Sequence, residues 1–154
     1  MAIPTVGKKI PAFSAETTSG PVTAKELVGG SFVLYFYPKD DTPGCTMESQ
    51  DFRDRQAEFA KLGVKVFGVS RDSLASHEKF RKKYDLPFDL ISDPEERLCN
   101  QFDVIRDKTM YGRQVVGVER STFLIDGNGV LRNEWRKVKV KGHVDEVLEA
   151  AKAL

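Results

Sequence analysis

The chain has 154 residues, which suits one domain spanning residues 1–154 and able to bury about two-thirds of its surface. Its 24 basic and 23 acidic residues leave a formal charge of +1, which argues against nucleic acid or any other polyanionic partner, and no stretch offers the roughly 18 apolar residues of a membrane span. Two cysteines make no disulfide scaffold and Met1 to Ile10 lacks the apolar core of a secretory signal, so the expectation is a cytoplasmic protein whose thiols are reactive or simply buried.

In chain order, Phe13 to Thr17 reads as a strand and Thr18-Ser19-Gly20-Pro21 as a turn. Thr23-Ala24-Lys25-Glu26 then offers a capping box for a short helix ended by Gly29-Gly30. Phe32 to Tyr37 is an unbroken apolar and aromatic run, the pattern of a strand covered on both faces, and Pro38 closes it. Met47, Phe52, Phe59 and Leu62 recur at roughly helical spacing as far as Gly63, and Val64 to Val69 supplies another strand. Strand, helix, strand implies a parallel pair.

Ala75 to Tyr84 is a charged helix and Pro87 to Ile91 a short extended piece. Asp93-Pro94-Glu95-Glu96 opens a further helix, with proline first and acids in the first turn, and this helix carries Cys99. Ser121 to Ile125 and Val130 to Arg136 read as strands joined by Asp126-Gly127-Asn128-Gly129, and the run Arg136 to Lys141 alternates as the exposed face of a strand does. A last helix from His143 places Val144, Val147, Leu148 and Ala151 on one face. The order, βαβ and later ββα, is that of a thioredoxin-like α/β fold, a central mixed sheet flanked by helices.

The chemistry concentrates where the aromatic strand gives way to a helix. Thr42 reads as N-cap with Pro43 in the first helical position, which puts Gly44 second and Cys45 third. Free backbone N–H groups and the positive end of the helix dipole meet there, and such helix starts are among the settings that favour a thiolate nucleophile.

The segment YFYPKDDTPGCTMES, residues 35–49, resembles the active-site segment of the peroxiredoxins, in particular the peroxiredoxin Q or bacterioferritin comigratory group. The family's proline, threonine and peroxidatic cysteine fall on Pro38, Thr42 and Cys45, and its arginine falls on Arg120 in Val118-Glu119-Arg120-Ser121-Thr122. The similarity runs from about Gly7 to the C-terminus. It implies a thioredoxin-like fold, no cofactor, and a thiol peroxidase that reduces hydrogen peroxide and organic hydroperoxides through a cysteine sulfenic acid. By the same resemblance Cys45 attacks, Arg120 stabilises the thiolate and the developing charge, Thr42 hydrogen-bonds sulfur and substrate, Pro38 shields the pocket, and Glu48 orients Arg120. The implied partners are peroxides and a thiol reductant, with a monomer favoured.

Each residue also has a plainer reading: Thr42 a cap only, Arg120 a surface cation, Pro38 a strand end, Glu48 an acid near a helix start. The sequence departs from many members of the group at the resolving cysteine, since Gln50 stands five residues after Cys45 and the segment Ala75 to Tyr84 contains none. Only Cys99 remains, as a buried structural thiol or a resolving one, the latter requiring the two Cα atoms within about 7 Å. The simpler cycle uses one cysteine, with the sulfenic acid reduced by glutathione, glutaredoxin or thioredoxin. His77, on a helix face read as solvated, and His143, at a helix start, lack metal-ligand spacing to the cysteines, so no metal is expected. The alternative outside catalysis is a thiol redox sensor or holdase of the same fold.

Overall fold

A run of large apolar side chains on one strand can be buried only if layers cover both sides of it. The computed structural model, which describes residues 3–110 and 112–154, does this for β3 (Ser31–Phe36). Phe32, Leu34 and Phe36 point into one core and Val33, Tyr35 and Tyr37 into another, all of them buried. The remaining strands are β1 (Ser14–Thr17), β2 (Gly20–Thr23), β4 (Val64–Ser70), β5 (Asp89–Ser92), β6 (Ile105–Met110), β7 (Arg113–Val118), β8 (Ser121–Ile125) and β9 (Leu131–Trp135). Seven of them form a mixed sheet in the order β2-β1-β5-β4-β3-β8-β9, and β6 and β7 make a separate hairpin. β3 pairs parallel with β4 and antiparallel with β8, and β4 pairs parallel with β5.

The helices are α1 (Ala24–Leu27), α2 (Pro43–Lys61), α3 (Leu74–Lys83), α4 (Arg97–Gln101) and α5 (His143–Lys152). Phe52 and Phe59 of α2, Phe80 of α3 and Val144, Val147, Leu148 and Ala151 of α5 close one face of the sheet. Leu27 of α1, Leu98 and Cys99 of α4, and Val104 and Val118 at the base of the hairpin close the other. The N-cap half of the expected capping box is present, with Thr23 Oγ1 accepting from the Glu26 N–H, and the Glu26 carboxylate accepts from the Thr23 hydroxyl. Among the described residues no helix is long and apolar enough to cross a membrane.

The structure differs from the sequence expectation at several points. The helix carrying Cys99 starts at Arg97, because Asp93, ahead of Pro94, turns its carboxylate back to accept from the Leu98 and Cys99 N–H groups (3.1 and 2.8 Å), and Glu96 sits at φ 61°. Residues 136–141 are not a strand: Lys137 adopts φ 51°, and Arg136 turns inward to the carbonyls of Phe102 and Asp103 (3.0 and 2.8 Å). His77, expected on a solvated face, is fully buried. Gly20 and Pro21, expected in a turn, begin the β2 strand, and the charged β6–β7 hairpin carries no pattern that separates it from a loop.

Gly68 makes the close packing of the parallel pair possible. It lies opposite Tyr35, and a Cβ there would meet the Tyr35 ring and hydroxyl at 2.7 Å and a Leu90 methyl at 2.8 Å. Tyr35 has little room to give way, since it stacks on Phe52 at 4.5 Å and its hydroxyl bonds Ser49 at 2.9 Å. Gly68→Ala is therefore expected to destabilise the fold by about 1–3 kcal/mol, measurable as a fall in Tm of roughly 2–12 °C. An unchanged Tm would contradict this account of the packing.

Candidate active site

The chain leaves β3 at Tyr37, passes Pro38, and turns through Asp41, whose φ of 59° is left-handed, before α2 begins. Asparagine and aspartate tolerate that region better than most residues. Pro43 occupies the start of α2 and fixes its first φ, so Gly44 and Cys45 present the N–H groups that have no partner inside the helix. Thr42 precedes them in extended conformation, but its side chain makes no cap. Its hydroxyl donates instead to the Lys39 carbonyl at 2.9 Å, so it closes the loop and leaves the helix mouth open.

Cys45 is 1% exposed. Its sulfur accepts a hydrogen bond from Nη2 of Arg120 at 3.3 Å, while Nη1 of the same guanidinium binds Oε1 of Glu48 at 2.7 Å. Residues 75 positions apart in the chain are brought together by the backbone between β7 and β8: Glu119 N–H donates to the Val104 carbonyl (2.7 Å), and the Val138 N–H donates to the Arg120 carbonyl (3.0 Å). Gly44 matters for a reason the sequence hides. A Cβ there would lie 3.1 Å from Arg120 Nη2, so only glycine lets the guanidinium rest against the first turn without shifting.

The electrostatics follow from burial. Glu48 is fully buried, and loss of solvent raises its carboxyl to about 7 even though Arg120 pulls the other way; its Oε2 has no hydrogen-bond partner. Burial acts against the charge on Arg120, but Glu48 and Cys45 outweigh it and hold the guanidinium above its ordinary value. Nearby, His143 sits at the start of α5 with Nε2 2.7 Å from the Thr122 hydroxyl; burial first, then the Arg120 charge, lowers its pKa to about 4. The ring is thus neutral at physiological pH and adds no charge beside Arg120.

Pro38 is half-buried at the edge of the loop. Cys99 lies elsewhere, in the core on the opposite face of the sheet from Cys45. Its thiol is pushed far above the ordinary range, by burial first and then by the Asp93 charge. Asp40, Asp72 and His77 are the group of possible cation ligands among the described residues, with one atom each within 4.8 Å of the others. Those atoms are already engaged in hydrogen bonds: Asp40 Oδ2 with Ser76 and His77, and Asp72 Oδ2 with the Asp40 N–H and Ser70.

A cysteine held between a helix N-terminus and a partly buried guanidinium is equipped to attack an electrophile and to stabilise the charge that leaves. Comparison with known proteins places this arrangement. The family model described as "AhpC/TSA family" matches residues 6–134. A Bacillus subtilis protein, peroxiredoxin Bcp, is 49% identical over 96% of this chain and 94% of its own. Among solved structures, Xanthomonas campestris peroxiredoxin Q is 51% identical with a TM-score of 0.87 over 92% of this chain and 90% of that one. A cysteine mutant of Xylella fastidiosa PrxQ is 39% identical with a TM-score of 0.93, covering 99% and 98% of the two chains.

The raised pKa of Glu48 makes stability depend on pH. A carboxyl raised from 4.5 to about 7 takes up a proton more readily in the folded protein than in the unfolded one. Its contribution is fully present below about pH 4.5 and is lost as pH rises through about 7, with a span of about 3 kcal/mol. Glu48→Gln, which keeps an acceptor for Arg120, is expected to remove this component. Urea unfolding at pH 5 and pH 8 should show the wild type losing more stability than the variant, whereas parallel pH curves would mean that Glu48 titrates normally.

Proposed function

Because the chain belongs to the peroxiredoxins, in the Bcp or peroxiredoxin Q group of the AhpC/TSA family, and is thus a thiol peroxidase, we propose that it runs a one-cysteine cycle on hydrogen peroxide and organic hydroperoxides, with an external thiol as reductant. The thiolate of Cys45 attacks one peroxide oxygen. The S–O bond forms as the O–O bond breaks, sulfur is oxidised to sulfenic acid, and the other oxygen leaves as hydroxide or alkoxide and takes up a proton. Arg120, 3.3 Å from the sulfur, stabilises the charge moving onto that oxygen, and the first-turn N–H groups hold the peroxide. Thr42 and Pro38 shape the approach to the sulfur, and Glu48 fixes the guanidinium through the 2.7 Å bond.

An organic hydroperoxide suits this role because a Xanthomonas campestris bacterioferritin comigratory protein, 50% identical, is described by its alkyl peroxide reduction activity. The observation that carries the one-cysteine cycle is the sheet between Cys45 and Cys99. The two sulfurs belong to cores on opposite faces, and Cys99 has its own backbone N–H tied to Asp93 at 2.8 Å. A first external thiol then attacks the sulfenic sulfur and releases water, and a second releases the reduced cysteine and a disulfide. Glutathione, glutaredoxin and thioredoxin are the candidate reductants, in the reducing cytoplasm and acting on a monomer.

The test is peroxide consumption with excess dithiothreitol. Cys45→Ser should abolish turnover without unfolding the chain, and Cys99→Ser should keep most of it. After one equivalent of peroxide, intact mass should show one added oxygen, trapped by a sulfenic-acid reagent at Cys45. Quantitative loss of two hydrogens, as a Cys45–Cys99 disulfide, would overturn the one-cysteine cycle, and no consumption by the wild type would favour a sensor or holdase. Arg120→Met should slow sulfenic acid formation by about 100-fold or more in stopped-flow measurements, the usual scale for removing one such donor.

A further inference from the structure

The loop that delivers Cys45 contains two consecutive aspartates that peroxide chemistry does not use. Asp40 is nearly buried, and a buried carboxylate is tolerated only when it is well hydrogen-bonded. Its Oδ1 accepts from the Tyr37 hydroxyl at 2.6 Å, and its Oδ2 accepts from Ser76 Oγ at 2.8 Å and bonds His77 Nδ1 at 2.7 Å. Its backbone N–H donates to Asp72 Oδ2 at 2.8 Å. His77 is fully buried and its Nε2 lies 2.9 Å from the Ile91 carbonyl of β5; a carbonyl can only accept, so Nε2 carries a proton. Asp41 is bound at the far end of α3, by Lys83 Nζ (2.8 Å) and the Tyr84 hydroxyl (2.6 Å).

Both ends of α3 therefore grip adjacent residues of the loop, and through His77 the inner grip is fastened to the sheet. Three residues separate Asp41 from Cys45, and Thr42 closes the turn onto Lys39, so little slack lies between the grip and the sulfur. The backbone of Arg120 is fixed independently, between β7 and β8, while its guanidinium is held by Glu48 of α2. The 3.3 Å contact between sulfur and guanidinium requires both anchorages to hold.

We propose that α3 is a clamp on the active-site loop, with His77 and Asp40 as positioning residues that set Cys45 against Arg120. The proposal rests on the peroxidase reading and adds residues that touch neither peroxide nor sulfur. A misplaced thiolate still reacts with an unselective alkylating agent, but it loses the geometry that polarises a peroxide. The clamp thus separates two rates that mere destabilisation would not.

The experiment measures sulfenic acid formation with hydrogen peroxide and alkylation by iodoacetamide, both on folded protein well below Tm. His77→Leu and Asp40→Ala should each lower the peroxide rate at least tenfold while alkylation stays within about threefold. Asp40→Asn, which keeps an acceptor for Ser76 and a hydrogen-bonding partner for His77, should recover part of the loss. Because His77 and Asp40 act as a unit, the double variant should be no slower than the slower single variant within about twofold. Should the buried variants not fold, Ser76→Ala and Tyr84→Phe loosen one grip each and should lower the ratio of the peroxide rate to the alkylation rate by about twofold to fivefold. Folded variants whose ratio matches the wild type, or a double variant with multiplied losses, would overturn the clamp. A wild type that does not react with peroxide would instead remove the peroxidase reading itself.

Discussion

One partly buried guanidinium, shared between a sulfur and a carboxylate, is the interaction on which the site depends. Arg120 has limited contact with water and needs anionic partners, and it finds Glu48 at 2.7 Å and Cys45 at 3.3 Å. The two partners compete for it. An ionised Glu48 holds the guanidinium in place but draws part of its field away from the sulfur, whereas a neutral Glu48 leaves that field to the thiolate and gives up some of the anchoring. A carboxyl that titrates near neutrality sits between these limits. The surroundings keep the balance from being disturbed: Gly44 leaves space for Nη2, and His143 stays neutral nearby.

The fold brings these groups together by placing the carboxyl end of a doubly buried strand beside two connections, the loop into α2 and the passage from β7 into β8. β3 lies between β4 and β8, and its carboxyl end opens into the loop before α2. Arg120 enters beside this end because the chain crosses from the hairpin into β8 at that point. The same sheet that assembles Cys45 and Arg120 keeps Cys99 apart, since side chains of successive residues on β3 belong to different cores, Cys45 lying in one and Cys99 in the other. Bringing the two sulfurs together would require α4 to leave a core in which Leu98, Cys99 and Phe102 are buried.

Much of this was legible in the residues. The apolar run at 32–37, the Thr-Pro helix start and the Asp126–Gly129 turn are local signals, and each produced the expected element close to the expected bounds. The position of Cys45 in the first turn of α2 follows from Pro43 alone. The pairing of Cys45 with Arg120 does not: nothing local in Val118–Thr122 sets Arg120 apart from other arginines, and only the family resemblance singled it out. The helix carrying Cys99 begins later than Asp93-Pro94-Glu95-Glu96 suggests, because Asp93 reaches past Pro94 to its partners. Its partners are N–H groups five and six residues on, across Pro94, where the usual pattern places the cap directly before the helix.

Residue patterns do not show the burial of polar groups, and Glu48 was tied to Arg120 only by the resemblance. Glu48, Ser49, His77, Thr122 and His143 are all 4% exposed or less, yet by composition each belongs on a surface. Periodicity infers burial from apolarity, so it fails where a polar side chain is buried with a partner distant in sequence. His77 and Asp40 are 37 residues apart, Glu48 and Arg120 are 72 apart, and neither member of a pair is unusual by itself. Such pairs stabilise only when every donor and acceptor is placed, which makes them sensitive to small displacements in a way that apolar contacts are not. A site that depends on a 3.3 Å contact to sulfur is therefore framed by the part of the core least tolerant of movement, and that part is the one a linear pattern is least able to show.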